Sequence, residues 1–190
     1  MQGLILLSLA MLRYTQSRSL TSDLDALLRR YIEAFNAADE EIYVEDIPNS
    51  QAYTFLRNKI PLFTCPDKTI EEVYYFRWWT YRKHVKTLNL PPGRKVVVVT
   101  EFMPRVPWAG LGNTICAAAG HHIMEGRWIR GNDTILDDYS RFWLTEKGKV
   151  DPRRYSFWVA SVLWSRFLVN GNFTFLRELL PKLELNYRLW

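Results

Sequence analysis

The residues best suited to chemistry gather between positions 101 and 143. Glu101 closes a β-branched run, Trp108 follows in a Pro/Gly-rich loop, and Asn113 stands where a helix should begin. A loop held against helix ends can bring an aromatic face, basic groups and a carboxylate to one place. Upstream, Arg77 lies in the run Tyr74-Tyr75-Phe76-Arg77-Trp78-Trp79, where ligand contact competes with a cation–π or ion-pair role. Asn113 reads equally as a plain N-cap or as an amide facing a hydroxyl. His121 and Glu125 are four apart and share a helical face, but two ligands without a third do not define a metal site. No metal or cofactor is expected. Asp137 and Asp138 are adjacent, so they point to different sides of their helix and make a poor acid/base couple.

Helices must position these groups. From Ser22 onward, Leu24, Leu27, Leu28, Tyr31, Ile32 and Phe35 recur at helical spacing. Asn49 opens a short helix through Tyr53 and Leu56 that Pro61 ends. Thr69-Ile70-Glu71-Glu72 reads as a capping box, so a long helix should run from there to about Lys86. The aromatic run inside it is bulky on every side and predicts burial between neighbours. Lys95–Glu101, rich in valine and preceded by Pro91-Pro92-Gly93, is the only convincing strand. Further helices are expected over about 113–129 (punctuated by Gly131), from an Asn132 or Asp133 cap through Trp143, and over 155–169 closed by Gly171. A last one, capped by Asn172, runs through Leu183 to Tyr187, with Pro181 as a kink or a break. The fold class is therefore mainly all-α, with one short β element near 95–101.

Composition narrows the function. A chain of 190 residues with 48% hydrophobic and 24% charged residues describes a folded domain. Aromatics reach 15%, with eight tryptophans, which suits a packed core or a stacking surface for flat ligands. The net charge of +5 is modest and its basic residues are scattered, so no nucleic-acid partner is expected. Cys65 and Cys116 give neither a disulfide framework nor metal spacing. The apolar stretch from Gly3 to Leu12 is too short to span a bilayer. Residues 1–20 would fit a leader for a secreted or periplasmic protein, though a basic start and a clear cleavage site are missing; the apolar half of a helix fits as well. Residues 21–190 then form one helical domain. Asn132-Asp133-Thr134 and Asn172-Phe173-Thr174 are glycosylation sequons only in a secreted eukaryotic setting.

Three groups of residues carry a family resemblance. Tyr155-Ser156-Phe157-Trp158 with the helix behind it, Asn170–Leu176, Leu180-Pro181-Lys182-Leu183 and Asn186–Trp190 resemble one helical hairpin of the six-hairpin glycosidases. That clan includes trehalases, mannosyl-oligosaccharide glucosidases and mannosylglycerate hydrolases. Trp108, the helix after it and Asp133–Trp143 resemble the preceding hairpin. Tyr74–Val85, with Cys65-Pro66-Asp67 upstream, resembles an earlier inner helix. The resemblance covers roughly residues 47–190.

It implies a partial (α/α)6 toroid whose loops line a sugar pocket, and inverting hydrolysis by two carboxyl groups about 6.5–9.5 Å apart. In better-known members a Trp-Asp pair occupies the position of Trp108-Ala109, and that Asp is the general acid. Glu101 is the nearest replacement here; a solvated carboxylate at a strand end is the alternative. Trp108, Asn113, Arg77, Arg154 and Ser156 are the expected saccharide contacts. Six hairpins need about twelve helices, roughly 300 residues, and this chain holds about three hairpins. It is therefore expected to be the front part of a catalytic domain, inactive alone, with a C-terminal half or a partner chain covering the open flank. A degenerate carbohydrate-binding relative and a helical protein-interaction module are the alternatives.

Overall fold

The computed structural model describes residues 21–43, 45–131, 134–144 and 157–189. Among these the fold is mainly α-helical with one two-stranded sheet. Helix α1 covers residues 21–37, α2 Asn49–Lys59 and α3 Lys68–His84. Strands β1 (Val85–Leu90) and β2 (Arg94–Val99) follow, then α4 (Cys116–Gly126), α5 (Ile135–Trp143), α6 (Val159–Asn170) and α7 (Phe173–Arg188).

α3 is the central element of the first half. Leu28 and Ile32 bury the inner stripe of α1, as its periodicity predicts. Tyr31 stacks on Tyr75 at 5.3 Å, and the Trp79 indole N–H donates to Asn36 Oδ1 at 2.8 Å. α2 packs on α3 as well and reaches α1 through Tyr53, which donates to Asp25 at 2.7 Å, and through an Arg57–Asp25 ion pair. The helix start differs from the capping-box expectation. Asp67 is the cap, accepting from the Thr69 and Ile70 N–H groups at 2.9 and 3.2 Å. The aromatic run is buried on one side only. Tyr75, Trp78 and Trp79 are inside, whereas Phe76 and Arg77 are exposed.

Only part of the hairpin was foreseen. β1 pairs antiparallel with β2, Val85 opposite Val99 and Leu90 opposite Arg94, so α3 ends at His84 and the chain straightens at once. The turn uses Gly93 at φ +94°, where a side chain would be strained. α5 lies on β2, and Asp138 Oδ2 accepts from the Val97 N–H at 3.2 Å.

α4 connects the halves. The Tyr81 hydroxyl of α3 donates to the His122 carbonyl at 3.1 Å, and a Cβ on Gly126 would overlap that hydroxyl. α4 also packs against α5 and α6, and α6 against α7. Gly120 lets the Trp158 indole lie directly on α4; a Cβ there would come within 2.7 Å of it. The start of α6 therefore rests on the first half of α4, the end fed by the Trp108 loop. Gly171, at φ +63°, ends α6, and Asn172 caps α7 by accepting from the Phe175 N–H at 3.0 Å. α7 continues through Pro181 without a break. Trp164, Leu168, Phe173, Leu180 and Leu185 leave an apolar outer flank on α6 and α7 exposed.

Candidate functional site

The loop from Thr100 to Ile115 is fastened on both sides. The Thr100 N–H donates to the His84 carbonyl at 2.8 Å, and the Glu101 N–H to the Asn113 carbonyl at 3.0 Å. Asn113 does not cap a helix, because α4 begins three residues later at Cys116. It adopts φ +56° inside a short 3-10 turn, Leu111–Asn113. Its amide donates to the Phe102 and Pro104 carbonyls at 3.1 and 2.9 Å, and its Oδ1 accepts from the Val106 N–H at 3.4 Å. Asn113 therefore staples the loop from within. Gly112 sits so close to β1 that a Cβ would come within 2.8 Å of the Leu88 side chain.

Trp108 stands at the tip of this loop, 67% exposed, with its ring edge-on to Phe102 at 4.7 Å. An open groove of about 510 Å³ lies along the same loop, lined by Lys86, Arg105, Pro107, Ala109, Leu111 and Asn113 among others, but not by Trp108. An exposed indole is a surface on which the C–H face of a sugar ring can stack.

Glu101 lies at the root of the same loop, its side chain about one-third exposed. One carboxylate oxygen, Oε2, is 3.2 Å from His122 Nε2. The other imidazole nitrogen, Nδ1, is 3.1 Å from the hydroxyl of Tyr139, which is fully buried. Burial pushes the His122 pKa down to about 4, with the charges of His84, His121 and Arg77 acting in the same direction. Burial pushes the Tyr139 phenol up. At neutral pH both groups are uncharged.

The remaining expected contacts are scattered. Arg77 on α3 makes a bidentate pair with Glu125, Nε to Oε1 at 3.1 Å and Nη2 to Oε2 at 2.7 Å. His121 faces Trp158 edge-on at 5.3 Å, so the His121/Glu125 pair is divided between two different neighbours. Asp137 pairs with Arg166, and Asp138 holds β2. Arg154 and Ser156 lie outside the described residues, as do the Asn132/Asp133 cap and Tyr155. Among the described residues no three His, Cys, Asp or Glu side chains cluster to hold a metal ion. None of their helices is long and apolar enough to cross a membrane. The sequence reading missed His122 and Tyr139. Their spacing of 17 residues carries no local signal.

Paired helices carrying an exposed aromatic loop can be set against known proteins. Residues 112–190 match the family model described as the mannosylglycerate hydrolase MGH1-like glycoside hydrolase domain. The chain is also similar to a solved protein named "Sialidase", at 35% identity and a TM-score of 0.77 over 87% of this chain. It spans only 15% of that protein's length. A search of curated proteins gave no match. The chain is thus a partial relative of the (α/α)6 glycoside hydrolases and contains a glycoside hydrolase-like domain.

Proposed function

We propose that this chain forms part of the sugar pocket of a glycoside hydrolase that acts on a saccharide by inverting hydrolysis in the complete protein. The reading is carried by one observation: the Glu101–Asn113 loop, with its exposed indole, runs directly into the family-matched segment that begins at residue 112. In this scheme Trp108 stacks on a sugar ring and Glu101 serves as the general acid. A glycoside with an unactivated leaving group needs that proton, because an expelled alkoxide is a poor leaving group. The second carboxylate, which activates water from the opposite face, comes from a region beyond these hairpins. Asn113 supports the groove wall; Arg77, a saccharide contact by expectation, is paired with Glu125 instead. Arg154 and Ser156 join the mouth by family resemblance alone. The exposed flank of α6 and α7 would be covered by further hairpins or by a partner chain.

Two measurements test this. Replacing Trp108 with alanine should weaken binding of mannotriose by about 0.5–1.5 kcal/mol beyond lost contact area, read by calorimetry. Unchanged affinity would remove Trp108 from the site. The chain alone should show no hydrolysis of aryl glycosides or disaccharides, since among the described residues the loop brings up one carboxylate, Glu101, where inversion needs two. Turnover that disappears in Glu101→Gln would contradict this. A purely binding relative is the second reading, favoured by Ala109, which lines the groove and has no proton to give.

A further inference from the structure

The contacts of Tyr139, His122 and Glu101 run through three separate elements and end at the loop carboxylate. Tyr139 on α5 is fully buried, so its hydroxyl proton needs an acceptor. Trp143, edge-on to the Tyr139 ring at 6.0 Å, offers only an indole N–H, which is a donor. His122 Nδ1, at 3.1 Å, is the acceptor in reach. A neutral imidazole that accepts at Nδ1 must carry its proton on Nε2. That proton then lies on the nitrogen 3.2 Å from Glu101 Oε2, within ion-pair distance of the carboxylate.

We infer that His122 is a positioning residue for Glu101: Tyr139 fixes its Nε2–H tautomer, and that N–H holds one carboxylate oxygen in place. The inference rests on Glu101 being the working carboxylate of the proposed function. The geometry assigns the division of labour between the two oxygens. Oε2 faces the imidazole, which leaves Oε1 as the oxygen to meet substrate. His122 is suited to this task because it stays uncharged. His84 and Arg77 from α3 and His121 from α4 all oppose a second proton on the ring, as does burial; Glu101 is the one acidic group facing it from the loop. A donor that is neutral near pH 7 orients the carboxylate without forming a full ion pair that would hold it away from its ligand. The same chain of contacts ties the loop to α5, so the position of Glu101 depends on that helix as well as on its own loop.

The whole chain, labelled with 15N-histidine and 13C-glutamate, tests this directly by NMR. His122 should show a protonated Nε2 and an unprotonated Nδ1 at about pH 7, and should keep that state down to about pH 5.5, well above its lowered pKa. Tyr139→Phe, which removes only the hydroxyl, should convert His122 to a mixture of tautomers and shift the Glu101 carboxyl resonance. A melting curve run alongside establishes that this variant is folded. His122→Asn should shift the same Glu101 resonance while leaving His84 in place. An Nδ1–H tautomer in the native chain, or a Glu101 resonance indifferent to Tyr139→Phe, overturns the inference. Mannotriose titration separates this from the reading beneath it. If no variant or native chain binds the sugar, the saccharide role of the loop fails, while the tautomer and carboxyl shifts still decide the role of His122.

Discussion

Arg82→Ala should lower the unfolding free energy by about 3–5 kcal/mol, the cost of breaking a buried ion pair from one side. Arg82 and Glu45 are both almost fully buried, 3.2 Å apart. The guanidinium also donates to the Ile47 carbonyl and, at 2.7 Å, to Asn49 Oδ1, and its Nε reaches the Trp79 carbonyl at 3.3 Å. One side chain thus gathers the α1–α2 connection, the first residue of α2 and the last turn of α3. Alanine leaves these acceptors unpaired in a site from which water is excluded, which costs more than the bonds themselves contribute. Glu45 keeps Lys83 at 3.0 Å, so the loss should fall towards the lower end of the range. Arg82→Met separates charge from volume. It fills the space without supplying a donor and should recover less than half the loss in urea midpoint; near-complete recovery would mean that packing alone was at stake.

The same substitution should reach the site. Asp46, in the segment held by Arg82, accepts from the Thr87 N–H of β1 at 2.6 Å. β1 in turn supports Gly112 through Leu88, and His84 anchors Thr100 just before Glu101. Loosening the α1–α2 connection therefore frees the base of the hairpin that delivers the loop.

Much of this framework was legible in the chain itself. α1 and α2 follow from apolar spacing, and the Gly171–Asn172 junction from the one residue that accepts φ +63° followed by one that caps. β1 was not legible. Val85-Lys86-Thr87-Leu88-Asn89-Leu90 follows a strong helix without a breaker, and only its pairing with β2 makes it extended. Asn113 misled because a capping residue and a loop staple look alike in sequence; the difference lies in the carbonyls of Phe102 and Pro104 that its amide finds. Trp108 was read from its place in a Pro/Gly-rich loop and from the family resemblance. Arg77 with Glu125, 48 residues apart, and His122 with Tyr139 arise from tertiary packing that no local pattern encodes.

Glu71→Ala should also be costly, about 3 kcal/mol or more, and its dependence on pH should identify the cause. The Glu71 carboxylate is fully buried. It accepts from Tyr31 of α1 at 3.0 Å, from Thr64 Oγ1 at 2.6 Å and the Cys65 N–H at 3.2 Å in the α2–α3 connection, and from Lys68 at 3.0 Å. Hydrogen bonds to a charged acceptor contribute about 1.5–3 kcal/mol, and removing the acceptor strands several donors together. Burial by itself would push the carboxyl up; the hydrogen bonds from Thr64, Lys68, Tyr31 and Cys65 outweigh it and hold the pKa at about 2 against an ordinary 4.5. The unfolded chain therefore takes up this proton at a higher pH than the folded one. The stabilisation is fully present above pH 4.5 and is lost as pH falls through 2. His122 acts in a separate window. Its depressed pKa makes the folded state resist protonation, so stability falls as pH drops from 6.5 towards 4. Glu71→Gln keeps the shape but not the charge, and should flatten the urea-midpoint profile below pH 4.5 while leaving the higher slope intact. A Gln variant whose profile still tracks the native one below pH 4.5 would mean that some other carboxylate governs acid unfolding.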